Sequence, residues 1–384
     1  MQFLNFACVV GARPNFMKMA PLLRALDSFD DVHATLIHTG QHYDPNLSDI
    51  FFQELEIKRP EVSLGIGSGK PGEQTARILE AMESVLESGP PGGGRFDRLI
   101  VVGDVTSTMA SALAAVKLGI PVAHVEAGLR SFDRTMPEEI NRIVTDSISD
   151  MFFVSEPDGI KNLVNEGQDP SRIHEVGNVM IDTLMRLIPR AQERNTVDRL
   201  GMLPGQYGVV TLHRPANVDH ADCLAGLVDV LIDLSNEIPF VFPAHPRTLN
   251  RLESFGLMNR VNGAKGLRLE PPMGYLDFLS LTSQSRLIIT DSGGLQEEST
   301  ALGVPCLTMR PNTERPITVE VGTSTLIGSD AELLRTKVNE VFDGEYKTGF
   351  CPPTWDGNAA KRIGAVLTGQ VTEFAMTPES AEAV

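Results

Sequence analysis

Residues 287–316 read LIITDSGGLQEESTALGVPCLTMRPNTERP, and this stretch decides the fold class. Leu287-Ile288-Ile289-Thr290 is predicted to be a buried strand, because parallel strands covered on both faces are continuously apolar. Asp291-Ser292-Gly293-Gly294 then turns sharply. A helix is expected from about Leu295, with Glu297 and Glu298 in its first turn and Gly303 just past its end. Val304-Pro305-Cys306-Leu307 opens the next strand. A Ser-Gly-Gly turn at a helix start offers free backbone N–H groups and the positive end of the helix dipole, which suits a phosphate. An ordinary connection between strands has the same pattern. The two glutamates oppose a phosphate unless they point at another group, such as a ribose.

The first half of the chain echoes this plan. Leu99 to Val125, LIVVGDVTSTMASALAAVKLGIPVAHV, again gives strand, acidic turn, small-residue helix, glycine, and a Gly-Ile-Pro step into a strand. Two such units in a chain of 384 residues predict an α/β protein with two similarly built, doubly wound domains. Phe3 to Val10 is the first strand, ending at Gly11-Ala12-Arg13-Pro14-Asn15, with a helix from Met17 to Leu26. Ala34 to His38 is a second strand, followed by Thr39-Gly40-Gln41 and Asp44; Ser48 to Leu55 is read as helix. Residues 64–72, LGIGSGKPG, are a glycine-rich loop without the P-loop pattern, and Thr75 to Leu86 is an amphipathic helix. Pro137-Glu138-Glu139 opens a helix through Ser149. A long helix, Ile181 to Gln192, is taken as the crossover to a second domain, which starts its first strand at Tyr207.

The net charge is −17, from 33 basic and 50 acidic residues, which argues against a nucleic-acid or anionic-membrane surface. Cys8, Cys223, Cys306 and Cys351 are scattered without a CxxC pair, as in a reduced cytoplasmic protein. The apolar run after Met1 lacks a basic leader and a cleavage site, and is too short to span a bilayer. No His, Cys or carboxylate set has metal spacing, and no GxGxxG opens the first βα unit, so neither a metal nor a nicotinamide cofactor is expected.

Residues at predicted strand C-terminal edges are Arg13, Lys18, Gln41, Asp104 and Glu126 in the first half, and His213, His245, Asp291 and Ser292 in the second. Open α/β sheets bind ligands at that edge. Basic groups, a Ser-Gly-Gly helix start and three acids, counting Glu138, suit a diphosphate ligand and acid–base chemistry.

At these residues the chain resembles the non-hydrolysing UDP-N-acetylglucosamine 2-epimerases. The blocks GARPNFMK, TGQH, GDVTST, HVEAGLRS, PEEINR, LHRP, PAHPRT and DSGGLQEE…GVP…MRPNTERP occur in family order over about residues 5–330. The resemblance implies two Rossmann-like domains facing across a cleft, in the GT-B arrangement. They would span residues 1–180 and 181–352, with a C-terminal helix at about 353–368 packing back on the first and a disordered tail at 369–384. It implies that Arg13, His213, Ser292, Gly293, Gly294, Glu298 and Arg315 hold UDP, Glu298 through the ribose hydroxyls. Asp104, Glu126 and Glu138 would be the catalytic carboxylates, with Lys18, His213 and His245 in support. It implies reversible C2 epimerisation through anti elimination of UDP and a 2-acetamidoglucal, in a homodimer without a cofactor. A 2-epimerase of a related diacetamido sugar or uronic acid, a hydrolysing 2-epimerase and a GT-B glycosyltransferase are the alternatives. The chain departs from the family at Asn15, where an acid is common, at Pro215-Ala216-Asn217, and at Asp44 and the 64–72 loop, where some members bind an activating UDP-sugar.

Overall fold

Among the described residues, thirteen short parallel strands make two separate sheets. The structure, a computed structural model, describes residues 3–40 and 56–370. Gln41, Asp44, the helix expected at Ser48 to Leu55 and most of the expected tail lie outside those residues.

The first sheet is built from β1 (Leu4–Val10), β2 (Val32–His38), β3 (Val62–Ser63), β4 (Arg98–Val102), β5 (Val122–Val125), β6 (Met151–Val154) and β7 (Ile173–Glu175), in the order β3-β2-β1-β4-β5-β6-β7. The second contains β8 (Gly208–Thr211), β9 (Phe240–Pro243), β10 (Leu267–Glu270), β11 (Leu287–Thr290), β12 (Cys306–Thr308) and β13 (Ser324–Leu326), in the order β10-β9-β8-β11-β12-β13. Every pairing described is parallel. Both orders run outward in two directions from a central pair, β1 beside β4 and β8 beside β11. That reversal is the switch point of a doubly wound sheet, where a crevice opens beyond the strand ends. Contacts divide the chain into two compact units: one ends at Thr183 and resumes at Thr354, and the other is Leu184–Pro353.

The core of each unit follows from strand composition. Leu99, Ile100 and Val101 of β4 and Leu287, Ile288 and Ile289 of β11 are buried almost completely, and each fully buried aliphatic side chain is worth about 1.5–3 kcal/mol. Ile78, Met82 and Leu86, at helical spacing on α2 (Pro71–Ser88), pack with Phe96, Leu99 and Val101. Helix α3 (Thr106–Lys117) buries mainly Ala and Ser, so it lies close over the sheet. The echo between halves persists at the glycine junctions: Gly119 (φ +68°) and Gly303 (φ +69°) both end a helix in the left-handed conformation before the next strand.

Four helices start earlier than expected, the one read from Ile181 by only two residues, at Val179. Helix α1 (Arg13–Leu26) begins four residues before Met17, because the Asn15 carboxamide oxygen accepts from Gly11 N and Ala12 N, closing its first turn. Helix α2 begins at Pro71, whose fixed φ suits the first helical position, so the glycine-rich loop stops at Lys70. The helix after β11 runs Gly293–Leu302 with Ser292 as its N-cap, so Glu297 and Glu298 fall in its second turn. The two glycines are themselves its first helical residues.

Candidate functional site

In the first unit, the ends of β1 and β4 are tied by Asn15, whose amide donates to Val102 O at 2.9 Å. Arg13 is the first residue of α1, and Lys18 lies one turn along on the same helix. Lys18 Nζ pairs with the Glu126 carboxylate, and both side chains are buried. Glu126 follows β5 with φ +71°, a conformation that costs a non-glycine residue about 1–3 kcal/mol and that concentrates at functional sites. The Phe153 carbonyl holds it there, accepting from Glu126 N at 2.9 Å and Ala127 N at 3.1 Å. Gly103 lies against the pair, a Cβ there falling 3.4 Å from Glu126 Oε2 and Lys18 Nζ, and its φ of +70° favours glycine at this turn.

Asp104 follows Gly103, and its Oδ2 accepts from Arg142 Nη2 at 2.6 Å and Nε at 3.1 Å. Arg142 belongs to α4 (Pro137–Ile148), as does Asn141, which donates to the Asp104 carbonyl at 2.8 Å. Glu138 is exposed in the first turn of α4, while its neighbour Glu139 is buried against Arg142 (2.7 Å), Ser131 and the Phe132 N–H. The tandem glutamates therefore divide: one braces the loop, the other stays accessible.

Beneath these acids lies a buried charge chain. His124 bonds Gly103 O through Nε2 (2.8 Å) and Asp146 Oδ1 through Nδ1 (2.6 Å). Asp146 Oδ2 meets Arg130 Nη2 at 2.7 Å and accepts from Gly128 N at 3.1 Å. Burial alone would raise the Asp146 pKa, but His124 and Arg130 hold it below the usual carboxylate range. Arg130 in turn forks onto Glu166 at 2.8 and 2.6 Å. His124 and Arg130 thus bracket Glu126 in sequence, and His124 also fixes the peptide before Asp104.

In the second unit, Asp291 ties the switch point. It is fully buried and accepts from His213 N (3.0 Å), Arg214 N (2.8 Å) and Asn217 Nδ2 (3.0 Å). His213 Nδ1 lies 2.7 Å from Asp291 Oδ1, and the ring is 41% exposed, so the carboxylate orients an imidazole that solvent can reach. Burial would raise the Asp291 pKa, yet the His213 contact and these donors keep it low. His245 caps α5 (Pro246–Ser254), its Nδ1 accepting from Arg247 N at 3.1 Å, which leaves the proton on Nε2. Partial burial, then His213 and Arg247, lower its pKa. The two imidazole centroids are 5.8 Å apart.

Ser292, Gly293 and Gly294 form the start of the helix Gly293–Leu302, here α6. Arg315 is buried, with Nε 2.7 Å from Glu297 and Nη1 2.7 Å from Glu314. Glu298 is buried against Tyr275, whose hydroxyl donates at 2.9 Å. Its pKa is pushed up to about 7, by burial first and then by Glu297, with Tyr275 opposing. Such a carboxyl gains from hydroxyl donors that would hold it ionised.

The first unit therefore gathers Lys18, Asp104 and Glu126 around Gly103, with Arg13 on the α1 start and Glu138 on the α4 start. The second gathers His213 and His245, and separately the α6 start with Arg315, Glu298 beyond them in the second turn. Sequence reasoning assigned no role to His124, Asp146, Arg130, Arg142, Arg310 or Glu314. All but Asp146 stand in the quoted blocks, so position was available but partnership was not. Among the described residues no three His, Cys, Asp or Glu side chains could hold a metal, and no helix is long and apolar enough to cross a membrane.

Two doubly wound parallel sheets, each with charged residues at its switch point, define a two-Rossmann α/β protein. The profile of the UDP-N-acetylglucosamine 2-epimerase family matches residues 24–368. The chain belongs to that family. It is 41% identical to the UDP-N-acetylglucosamine 2-epimerase of Methanococcus maripaludis, over 94% of this chain and 98% of the relative. It is 38% identical to the UDP-2,3-diacetamido-2,3-dideoxy-D-glucuronate 2-epimerase of Pseudomonas aeruginosa, over 95% and 99%. The crystal structure of Methanocaldococcus jannaschii UDP-GlcNAc 2-epimerase in complex with UDP-GlcNAc and UDP superimposes with a TM-score of 0.83 at 40% identity, covering 95% of this chain and all of that one.

Proposed function

We propose that the protein interconverts UDP-N-acetylglucosamine and UDP-N-acetylmannosamine without hydrolysis. The carrying observation is Glu126, a buried carboxylate kept in a strained backbone conformation against Lys18, in a chain of this family. The hydrogen on C2 is too weakly acidic for a free carbanion. Elimination avoids one: a carboxylate takes the C2 proton, the C1–O bond breaks, and the bonding pair leaves with UDP as C1=C2 forms. Return of UDP oxygen to C1, with a proton delivered to the other face of C2, completes the inversion. Asp104, Glu126 and Glu138 supply the acid–base groups, with Lys18 paired to Glu126. The reading assigns UDP to the second unit. There the α6 start, His213 and Arg315 stabilise the departing diphosphate and Glu298 takes the ribose.

A second reading, the same reaction on a diacetamido uronic acid, draws support from the Pseudomonas relative, nearly as similar as the archaeal ones. Incubation with each UDP-sugar in D2O, without acceptor, separates the possibilities. The expected product from UDP-N-acetylglucosamine is its C2 epimer carrying deuterium at C2. Release of free mannosamine sugar would mean hydrolysis, and hydrogen retained at C2 would sink the solvent-exchanging elimination.

A further inference from the structure

Arg310 follows β12 and is held by its backbone, its N–H donating to Thr308 O at 2.8 Å and its carbonyl accepting from Gly328 N at 3.1 Å. Its side chain is 3% exposed. Nη2 donates to Glu314 Oε2 at 2.7 Å, and the other Glu314 oxygen accepts from Arg315 Nη1 at 2.7 Å. One carboxylate thus clips two guanidinium groups side by side. Arg310 Nη1, although buried, has no hydrogen-bond partner among the described residues. It is aimed at the start of α6: a Cβ built on Gly293 would lie 3.6 Å from Arg310 Nη1, 3.1 Å from Arg315 Nη1 and 3.0 Å from Glu314 Oε1. A Cβ on Gly294 would meet nothing within 4 Å. Helix α6 has ten residues, and its first-turn N–H groups lack intrahelical acceptors.

A buried charged donor without an acceptor is costly, and native proteins keep one where something else completes it. We propose that Arg310 is a further phosphate contact of the nucleotide site, with Nη1 donating to a phosphate oxygen seated at the α6 N-terminus. This rests on the assignment of UDP to the second unit. Glu314 would repel the anion if free, but both of its oxygens are spent on Arg310 and Arg315, so it orients the two cations. The missing side chains at 293 and 294 leave the room that the phosphate needs.

Calorimetry with UDP, beside an NMR titration with uridine, tests this on the full chain and on Arg310→Met and Arg310→Lys. Arg310→Met should weaken UDP about tenfold or more, and uridine by less than about threefold, since only the phosphate contact is lost. Arg310→Lys should fall between, because it keeps the charge without the fork. An unchanged UDP affinity, or equal losses for UDP and uridine, would overturn the proposal and leave Arg310 a structural ion pair. If Arg310→Met does not fold, the same contrast in Arg310→Lys decides. A parent chain that fails to bind UDP defeats the functional reading itself; a parent that binds, with variants that bind equally well, defeats only Arg310.

Discussion

The two units share a topology and a switch point, yet they close it with different chemistry. In the first, a neutral amide, Asn15, bridges β1 to β4, and the acids nearby are matched by cations: Glu126 by Lys18, Asp104 by Arg142, Asp146 by Arg130. In the second, a carboxylate, Asp291, bridges β8 to β11 and orients a solvent-accessible imidazole, His213. Glu298 there sits buried, with the Tyr275 phenol as its hydrogen-bond donor among the described residues. One edge holds negative charge ready and in place. The other is arranged to receive charge that arrives and leaves.

Isosteric neutralisation breaks the contrast most sharply. Glu126→Gln and Asp104→Asn should lose about 10²–10⁴-fold in turnover while UDP affinity holds, as for general acid–base groups elsewhere. Glu138→Gln belongs in the same series, and because Glu138 is exposed its loss should come without any change in melting temperature. A fall below tenfold in any of the three removes that residue from proton transfer.

Next in size is the charge chain of the first unit. Arg130→Met strips the cation from buried Asp146 and should cost about 3–5 kcal/mol of stability in denaturant unfolding. A loss no larger than that of an exposed pair such as Arg77–Glu73, about 0.5 kcal/mol, would show that the acids need no such bracing.

In the second unit, Arg315→Ala and Glu298→Ala should each weaken UDP by about 1.5–3 kcal/mol, read by calorimetry. Unchanged affinity in both would take them out of the nucleotide site.

The subtlest test is pH. Glu298 has its pKa raised in the folded protein to about 7, so it binds its proton more tightly folded than unfolded. That contribution to stability is complete below the unfolded carboxyl pKa and is lost as pH rises through about 7. Glu298→Gln should therefore be relatively more stable at pH 8 than at pH 5, by up to about 2–3 kcal/mol. Parallel stability curves for parent and variant would mean that Glu298 finds a counter-charge.

Much of this was legible from residues alone. Apolar strands followed by turns at Gly103 and Asp291, with matching Gly-(Ile/Val)-Pro junctions, gave away the two doubly wound units. The switch-point residues Arg13, Asp104, His213 and Ser292 followed from strand ends. Partnership did not follow, because it links distant positions: His124 to Asp146 across 22 residues, Arg130 to Glu166 across 36, Arg142 to Asp104 across 38. Asn15 read only as a missing acid. Its amide needs the Val102 carbonyl, 87 residues on, to show what it does. The early start of α6 was hidden for a local reason, since glycines are poor helix formers and hold a first turn only where their neighbours fix it.

The polypeptide leaves the first unit at Thr183 and re-enters it at Thr354. The returning piece is pinned by Trp355, whose indole donates to Ser155 O at 2.9 Å. Asp182 accepts from Ala359 N and Ala360 N at the start of the helix Ala359–Thr368. A ribosome extruding this chain thus delivers all of the second unit before the first can be finished. The chain also has a single tryptophan, and it lies on that late-arriving piece. Intrinsic fluorescence excited at the indole band therefore watches one event, the docking of the final segment, and is blind to the second unit's own collapse.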